Sequence, residues 1–176
     1  MKLYLSRFHS PLGELLLVTD DASRIRALDF ADHAARLYRL LREHYGAYDL
    51  LDAPLPAAIA AALTRYFDGD LSALDALTTA SPGSELQQRV WDALRRIPVG
   101  RTKSYGELAR ELGFDDPRAA IDIGAANNAN PVAIIVPCHR VIASNGDLKG
   151  YAGGLHRKRW LLEHEGALVS RTLPGF

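Results

Sequence analysis

The sequence predicts an α+β fold in which a small sheet-and-helix domain precedes a mostly helical one. Three observations carry this expectation. Short segments rich in Leu, Val, Ile and aromatic residues alternate with turn-forming residues over about the first 30 positions. Helical periodicity takes over from residue 33. A polar, turn-forming stretch, LTTASPGSE at residues 77–85, then precedes three more helical segments.

In chain order, LYLSRF (3–8), ELLLVT (14–19) and IRALDF (25–30) read as an antiparallel meander, punctuated by Ser10-Pro11-Leu12-Gly13 and Asp20-Asp21-Ala22-Ser23. HAARLYRLLREHY (33–45) sets Leu37, Leu40, Leu41 and Tyr45 on one helical stripe, and PAAIAAALTRYF (56–67) repeats the pattern before Gly69. LTTASPGSE marks the expected boundary, giving domains at 1–80 and 81–176. Beyond it lie SELQQRVWDALRRI (84–97), SYGELAREL (104–112) and PRAAIDIGAANNA (117–129). Ser84 and Ser104 stand at N-cap positions with Gln87 and Glu107 three residues on, the spacing of a capping box. The second and third of these helices, joined by GFDD, fit either a helix-turn-helix, with its recognition helix starting near Pro117, or a plain helical hairpin. A last helix from about residue 155 to 164 follows the glycine-rich GYAGG.

Of 176 residues, 21 are Lys or Arg and 21 Asp or Glu, which argues against a protein that coats polyanions. The charge is uneven: residues 1–80 hold 8 basic against 11 acidic side chains, residues 81–176 hold 13 against 10, so the second half is the better nucleic-acid face. No apolar run of about eighteen residues is present and the opening MKLYLSRFHSPLGE lacks the pattern of a signal peptide, so no membrane association and a cytoplasmic location are expected. A single cysteine excludes an internal disulfide and a cysteine-rich zinc site.

That cysteine stands in NPVAIIVPCHRVI (130–142). The apolar run will be buried, and Pro137 fixes its own φ and biases Val136 toward extended conformations, so the thiol of Cys138 is held at a rigid edge. A nucleophilic sulfur reacts as the thiolate and needs a base to take its proton, a role for His139 or a neighbour. A lone cysteine otherwise reads as a small buried hydrophobe.

Ile135-Val136-Pro137-Cys138-His139-Arg140-Val141 resembles the active-site signature of the O6-alkylguanine-DNA alkyltransferases. The similarity extends to Gln87-Gln88-Arg89-Val90-Trp91, Ile97-Pro98-Val99-Gly100, Ser104-Tyr105-Gly106-Glu107-Leu108-Ala109, Gly150-Tyr151-Ala152-Gly153-Gly154-Leu155 and Leu161-Leu162-Glu163-His164-Glu165-Gly166. It thus spans roughly residues 84–166, while Ser10-Pro11-Leu12-Gly13 is similar to the family's amino-terminal domain.

The resemblance implies a ribonuclease H-like amino-terminal domain and a winged helix-turn-helix-like alkyltransferase domain. It implies direct-reversal DNA repair: Cys138 takes the alkyl group from guanine O6 irreversibly, His139 accepts the thiol proton through an ordered water, Glu165 orients His139, Asn130 fixes the turn behind the site, and Tyr105 protonates the departing base. Val141, Tyr151, Ala152 and Gly153, with the backbone of Cys138, match the pocket for the flipped base. The implied partner is double-stranded DNA containing O6-alkylguanine, approached from the minor groove by a monomer. Tyr105, Arg118, Ile121, Gly124, Ala125, Asn127 and Arg140 stand at positions matching the DNA-contacting region, and Ala119, Ala120, Ala126 and Ala129 add small residues for close approach. Where the family's pattern has an arginine that enters the base stack, this sequence has Ile121, followed by Asp122, after a GFDDP turn about two residues longer than the pattern; Arg118 lies one helical turn earlier. The zinc site of some members needs cysteine near the amino terminus, which His9, His33 and His44 do not replace, so no metal and no cofactor are expected. Two other readings compete: a lesion-recognition protein without transfer chemistry, against which Cys138 argues, and a cysteine hydrolase, which would regenerate its thiol.

Overall fold

Short segments rich in apolar residues fold, in the computed structural model describing residues 1–168, into the expected meander of β1 (Lys2–Ser10), β2 (Gly13–Thr19) and β3 (Ile25–Phe30). The β1–β2 hairpin closes on Gly13 at φ +100°, a value natural only to glycine, with Ser10 Oγ donating to Gly13 O at 2.7 Å. A fourth strand was not expected. Helix α1 (Ala34–Tyr45) leads to β4 (Asp49–Asp52), which pairs parallel to β1 and completes the order β3-β2-β1-β4.

Both faces of this sheet are covered, which is why Leu15-Leu16-Leu17-Val18 is a continuous buried run rather than an alternating one. One face (Leu3, Leu5, Leu16, Val18, Ala27) meets Leu37 and Leu41 of α1, with Tyr45 packed at the margin. The other face (Leu15, Leu17, Leu28, Phe30) joins Ile59, Leu63 and Tyr66 of α2 (Ala57–Phe67) and runs on, within one core, into Val90, Trp91 and Leu94 of α3 (Glu85–Arg95).

The polar stretch near residue 80 is therefore pinned rather than loose. Ile25 N donates to Thr78 O (2.9 Å), Ala80 N to Ile25 O (3.0 Å) and Ser81 Oγ to Arg26 O (3.0 Å). Farther along the same strand, Leu28 N donates to Pro131 O (2.9 Å) and Ala133 N to Leu28 O (3.0 Å). The outer edge of β3 is closed by backbone from residues 78–80 and, around Leu28, from residues 131–133.

In that second half, α4 (Tyr105–Glu111) packs on α5 (Ala119–Asn128), beside a parallel pair of β5 (Lys103–Ser104) and β6 (Val141–Ile142). Both capping boxes are formed, Ser84 with Gln87 and Ser104 with Glu107. The helix expected from near Pro117 starts at Ala119, two residues later, because Asp116 Oδ1 accepts from Arg118 N at 2.9 Å and holds residues 116–118 in a turn. Helix α6 (Leu155–His164) closes the described fold, and no described helix is long and apolar enough to cross a membrane.

Candidate active site

The buried run 132–136 is a tight turn. Its Ile134 lies at φ +70°, an uncommon and strained state for a β-branched residue. Asn130 holds the turn: its Nδ2 donates to Val136 O (2.8 Å) and Val132 O (3.3 Å), and its Oδ1 accepts from Val132 N (3.0 Å). The chain then enters a 3-10 turn, Cys138–Arg140. Cys138 is 8% exposed, and burial pushes its thiol pKa up, offset in part by Asn130 and by the positive charges of Arg36 and Lys158.

His139 is fully buried. Its Nε2 lies 2.9 Å from Glu165 Oε2, and its Nδ1 has no protein partner among the described residues. An ionised carboxylate only accepts, so this contact puts the ring hydrogen on Nε2 and leaves Nδ1 with a lone pair. Burial lowers the pKa of His139 against the opposing pull of Glu165.

Glu165, just past the end of α6, is the most heavily bonded side chain of the site. Besides His139 it accepts from Tyr66 OH (2.6 Å), Arg140 Nη2 (3.1 Å) and, on Oε1, Arg140 Nε (2.9 Å), while Arg140 Nη1 donates to Ile97 O (2.7 Å). Burial works to raise its pKa, but His139 and Arg140 outweigh this and hold the carboxyl well below the usual range.

Beside Cys138 lies a cavity of about 10 Å³, room for one water at most. Tyr151, Ala152, Gly153, Asn130 and Ala133 line it, as do Asn127, Asn128, Phe30, Arg36 and Gly150. Tyr151 OH is buried without a partner among the described residues, and burial, with Cys138 next, raises its pKa well above the ordinary value. Val141, expected in this pocket, is not part of the lining; its carbonyl accepts from Lys158 Nζ at 2.6 Å. Tyr105 is not part of the lining; its hydroxyl donates to Lys149 O (3.3 Å) and lies near Gly150, and its ring lies against Gly124.

On α5 the outward residues are Ile121, 73% exposed, with Asp122, Ala125 and Asn128; Arg118 is exposed just before the helix, and Ala119 and Ala126 point inward. Two residues expected at the DNA surface lie elsewhere. Asn127 is 1% exposed and turns its Nδ2 toward Cys138 O (3.5 Å), because it shares the inward face of α5 with Ile123 and Ala126. Arg140 is drawn inside by Glu165 and supports the carboxylate instead of meeting phosphate.

Four residues at the site had no expected role. Phe30 and Arg36 come from the first half; Arg36 donates to Asn130 O (2.9 Å) and Asn128 O (3.2 Å) and faces Asp29 at 3.4 Å. Tyr66 reaches Glu165 from α2, where the apolar stripe marked it as core alone. Lys158 is buried in α6 on two carbonyls, Val141 O and Lys149 O, and burial brings its pKa down to about 8. Its position in a charged helix gave no sign of this.

Comparisons with known proteins agree with the arrangement. A methylated-DNA--protein-cysteine methyltransferase of Salmonella typhimurium is 46% identical over 171 residues, covering 96% of this chain and 99% of that one. A protein of the same name from Mycobacterium bovis is 46% identical over 159 residues, covering 88% and 94%. The Mycobacterium tuberculosis OGT solved in complex with DNA superposes with a TM-score of 0.73 at 36% identity, covering 93% of each chain. Residues 3–80 match the ribonuclease-like domain of 6-O-methylguanine DNA methyltransferase and residues 85–167 its DNA binding domain. With nearly the whole length accounted for by these two models, the chain belongs to the 6-O-methylguanine DNA methyltransferase family.

Proposed function

We propose that this protein repairs O6-alkylguanine in DNA by moving the alkyl group onto Cys138, a methylated-DNA–protein-cysteine methyltransferase reaction. His139 carries the reading: its Nε2 is committed to Glu165 while its buried Nδ1 is unengaged among the described residues, next in sequence to the chain's one thiol. The thiol proton passes to Nδ1 through a water, and burial keeps the ring neutral and able to accept it. The thiolate attacks the alkyl carbon in line; a C–S bond forms, the C–O pair returns to the guanine, and Tyr105 supplies the base with a proton. A thioether has no good leaving group, and no second thiol exists to resolve it, so each chain acts once.

A thiol this buried meets its target only if the nucleotide leaves the duplex, at a cost of roughly a few kcal/mol. The outward face of α5 suits the minor groove, with Ala125 allowing close approach and Ile121 acting as an apolar wedge in the vacated stack. Arg118 provides the nearby positive charge. The DNA complex of the M. tuberculosis relative supports DNA as the partner. The protein acts as a cytoplasmic monomer, and residues 1–80 and 81–176 are two domains sharing one core.

Intact-mass measurement after exposure to duplex DNA containing O6-methylguanine tests the proposal. One added CH2 unit per chain, mapping to Cys138 and absent in Cys138→Ser, is expected. Modification elsewhere, or repeated turnover by one chain, refutes it and favours a hydrolase.

A further inference from the structure

In-line displacement puts the breaking C–O bond and the forming C–S bond on one axis and spreads the three other substituents of the carbon in the plane across it. For a methyl group these are hydrogens. For a larger alkyl group one is a carbon, which needs room beside the sulfur rather than beyond it. The recorded space beside Cys138 is the cavity of about 10 Å³, and part of its wall is Phe30, from the amino-terminal half.

Phe30 is fully buried and held on several sides. Its ring meets Tyr151 edge-on, with centroids 6.2 Å apart. The Arg157 guanidinium lies 4.2 Å from its centroid, and Arg157 is itself fixed by Asp32 (2.8 and 3.1 Å) and Leu12 O (3.2 Å). A Cβ placed on Gly153 would come within 2.3 Å of the ring, so the Gly153 backbone lies directly against it. Admitting a guanine requires the loop between Gly150 (φ +69°) and Gly154 (φ +97°) to move outward, and both glycines permit backbone change there. Phe30 ends a sheet strand that is hydrogen-bonded along both edges and does not follow the loop.

We propose that Phe30 is the wall that sets how large an alkyl group Cys138 accepts, an inference that rests on Cys138 being the acceptor. The ring shares the cavity wall with Cys138, and on this proposal it is what crowds a carbon attached to the reacting one. One methylene in an apolar pocket typically changes discrimination by about 10–200-fold, so a change in ring size should be plainly visible in relative rates.

The test uses the full chain and two duplexes identical except for O6-methyl or O6-benzyl on one guanine, with single-turnover rates read as alkyl on Cys138. The benzyl-to-methyl ratio cancels losses in folding, DNA binding and flipping common to both substrates. Phe30→Leu should raise the ratio by about tenfold or more, and Phe30→Trp should lower it by a similar factor. Gly153→Ala should slow both substrates, and its effect should shrink in the Phe30→Leu background, where the added methyl no longer meets the ring. Ratios unchanged in folded Leu and Trp variants, or shifted the same way by both, overturn the proposal. Failure of the unsubstituted chain to carry an alkyl group on Cys138 from either duplex would instead remove the reading beneath it, and would be seen before any variant is made.

Discussion

Tyr66 donates its hydroxyl hydrogen, at 2.6 Å, to the same Glu165 oxygen that faces His139. A residue of the first half thereby holds the carboxylate that faces His139 in the second. Tyr66→Phe removes a buried hydrogen bond to a charged acceptor and should cost about 1.5–3 kcal/mol in denaturant unfolding at neutral pH. The pH dependence has a defined sign. Glu165 is held below its unfolded pKa, so its contribution is present above the ordinary carboxylate range and lost as pH falls toward the folded value. Losing the Tyr66 donor raises the folded pKa, so acid unfolding of Tyr66→Phe should occur at higher pH than in the parent.

The relay itself should be visible in rates. His139→Ala and Glu165→Gln remove the proton acceptor and its orienter, and each should slow methyl transfer more than tenfold if the relay lowers the barrier by over about 1.4 kcal/mol. Because burial raises the Cys138 pKa, raising the pH should partly restore both by forming thiolate without the base. Rates equal to the parent at neutral pH in folded variants would show the relay to be dispensable.

Asp29 has a side chain only 3% exposed, with Arg36 as its cationic partner at 3.4 Å. Burial raises its pKa and Arg36 works against that rise. Arg36→Ala should destabilise the fold by about 3–5 kcal/mol, the usual cost of stranding a buried charge. Asp29→Asn in the same chain should recover part of the loss, a non-additivity measurable in a double-mutant cycle of unfolding free energies.

Buried Lys158 gives a slope of opposite origin. Its folded pKa of about 8 lies below its unfolded value, so the ammonium costs stability at neutral pH, and the cost is relieved as pH rises from about 8 toward about 10.4. Over that window the parent should gain unfolding free energy relative to Lys158→Met, an outcome read from denaturant midpoints at the two ends.

Ile121, exposed on α5, separates duplex opening from chemistry. Ile121→Arg should speed reaction with alkylated duplex and steepen the salt dependence of binding by up to about one log–log unit. Free O6-benzylguanine, which needs no flipping, should react at nearly the parent rate. Arg118→Ala should weaken the duplex reaction if Arg118 supplies the missing charge. Equal effects on both substrates would discard the wedge.

Features set by neighbouring residues were legible in the sequence. The Ser84/Gln87 and Ser104/Glu107 caps and the strand-turn-strand pattern around Pro11-Leu12 depend on contacts within a few positions, and the structure repeats them. β4 was not legible, because Asp49-Leu50-Leu51-Asp52 is short and gains its pairing only from β1. Cys138, His139 and Glu165 were identified through resemblance, while Arg140 and Asn127 were misplaced because a polar side chain looks like surface until a buried partner is known. Arg36, Tyr66 and Phe30 were missed because their partners at the site lie across the two halves, a distance no local pattern encodes.

The closed outer edge of β3 bears on synthesis at the ribosome. Residues 1–80 emerge first, with the Leu15, Leu17, Leu28 and Phe30 face covered by α2 but still lacking Val90, Trp91 and Leu94, and the β3 backbone around Leu28 waiting for residues 131–133. A nascent chain paused at that point presents an unpaired strand edge beside an apolar face, the combination that recruits other strands. Chaperone demand should therefore peak before Pro131 leaves the exit tunnel, and the first half expressed alone should precipitate unless the second half is supplied with it.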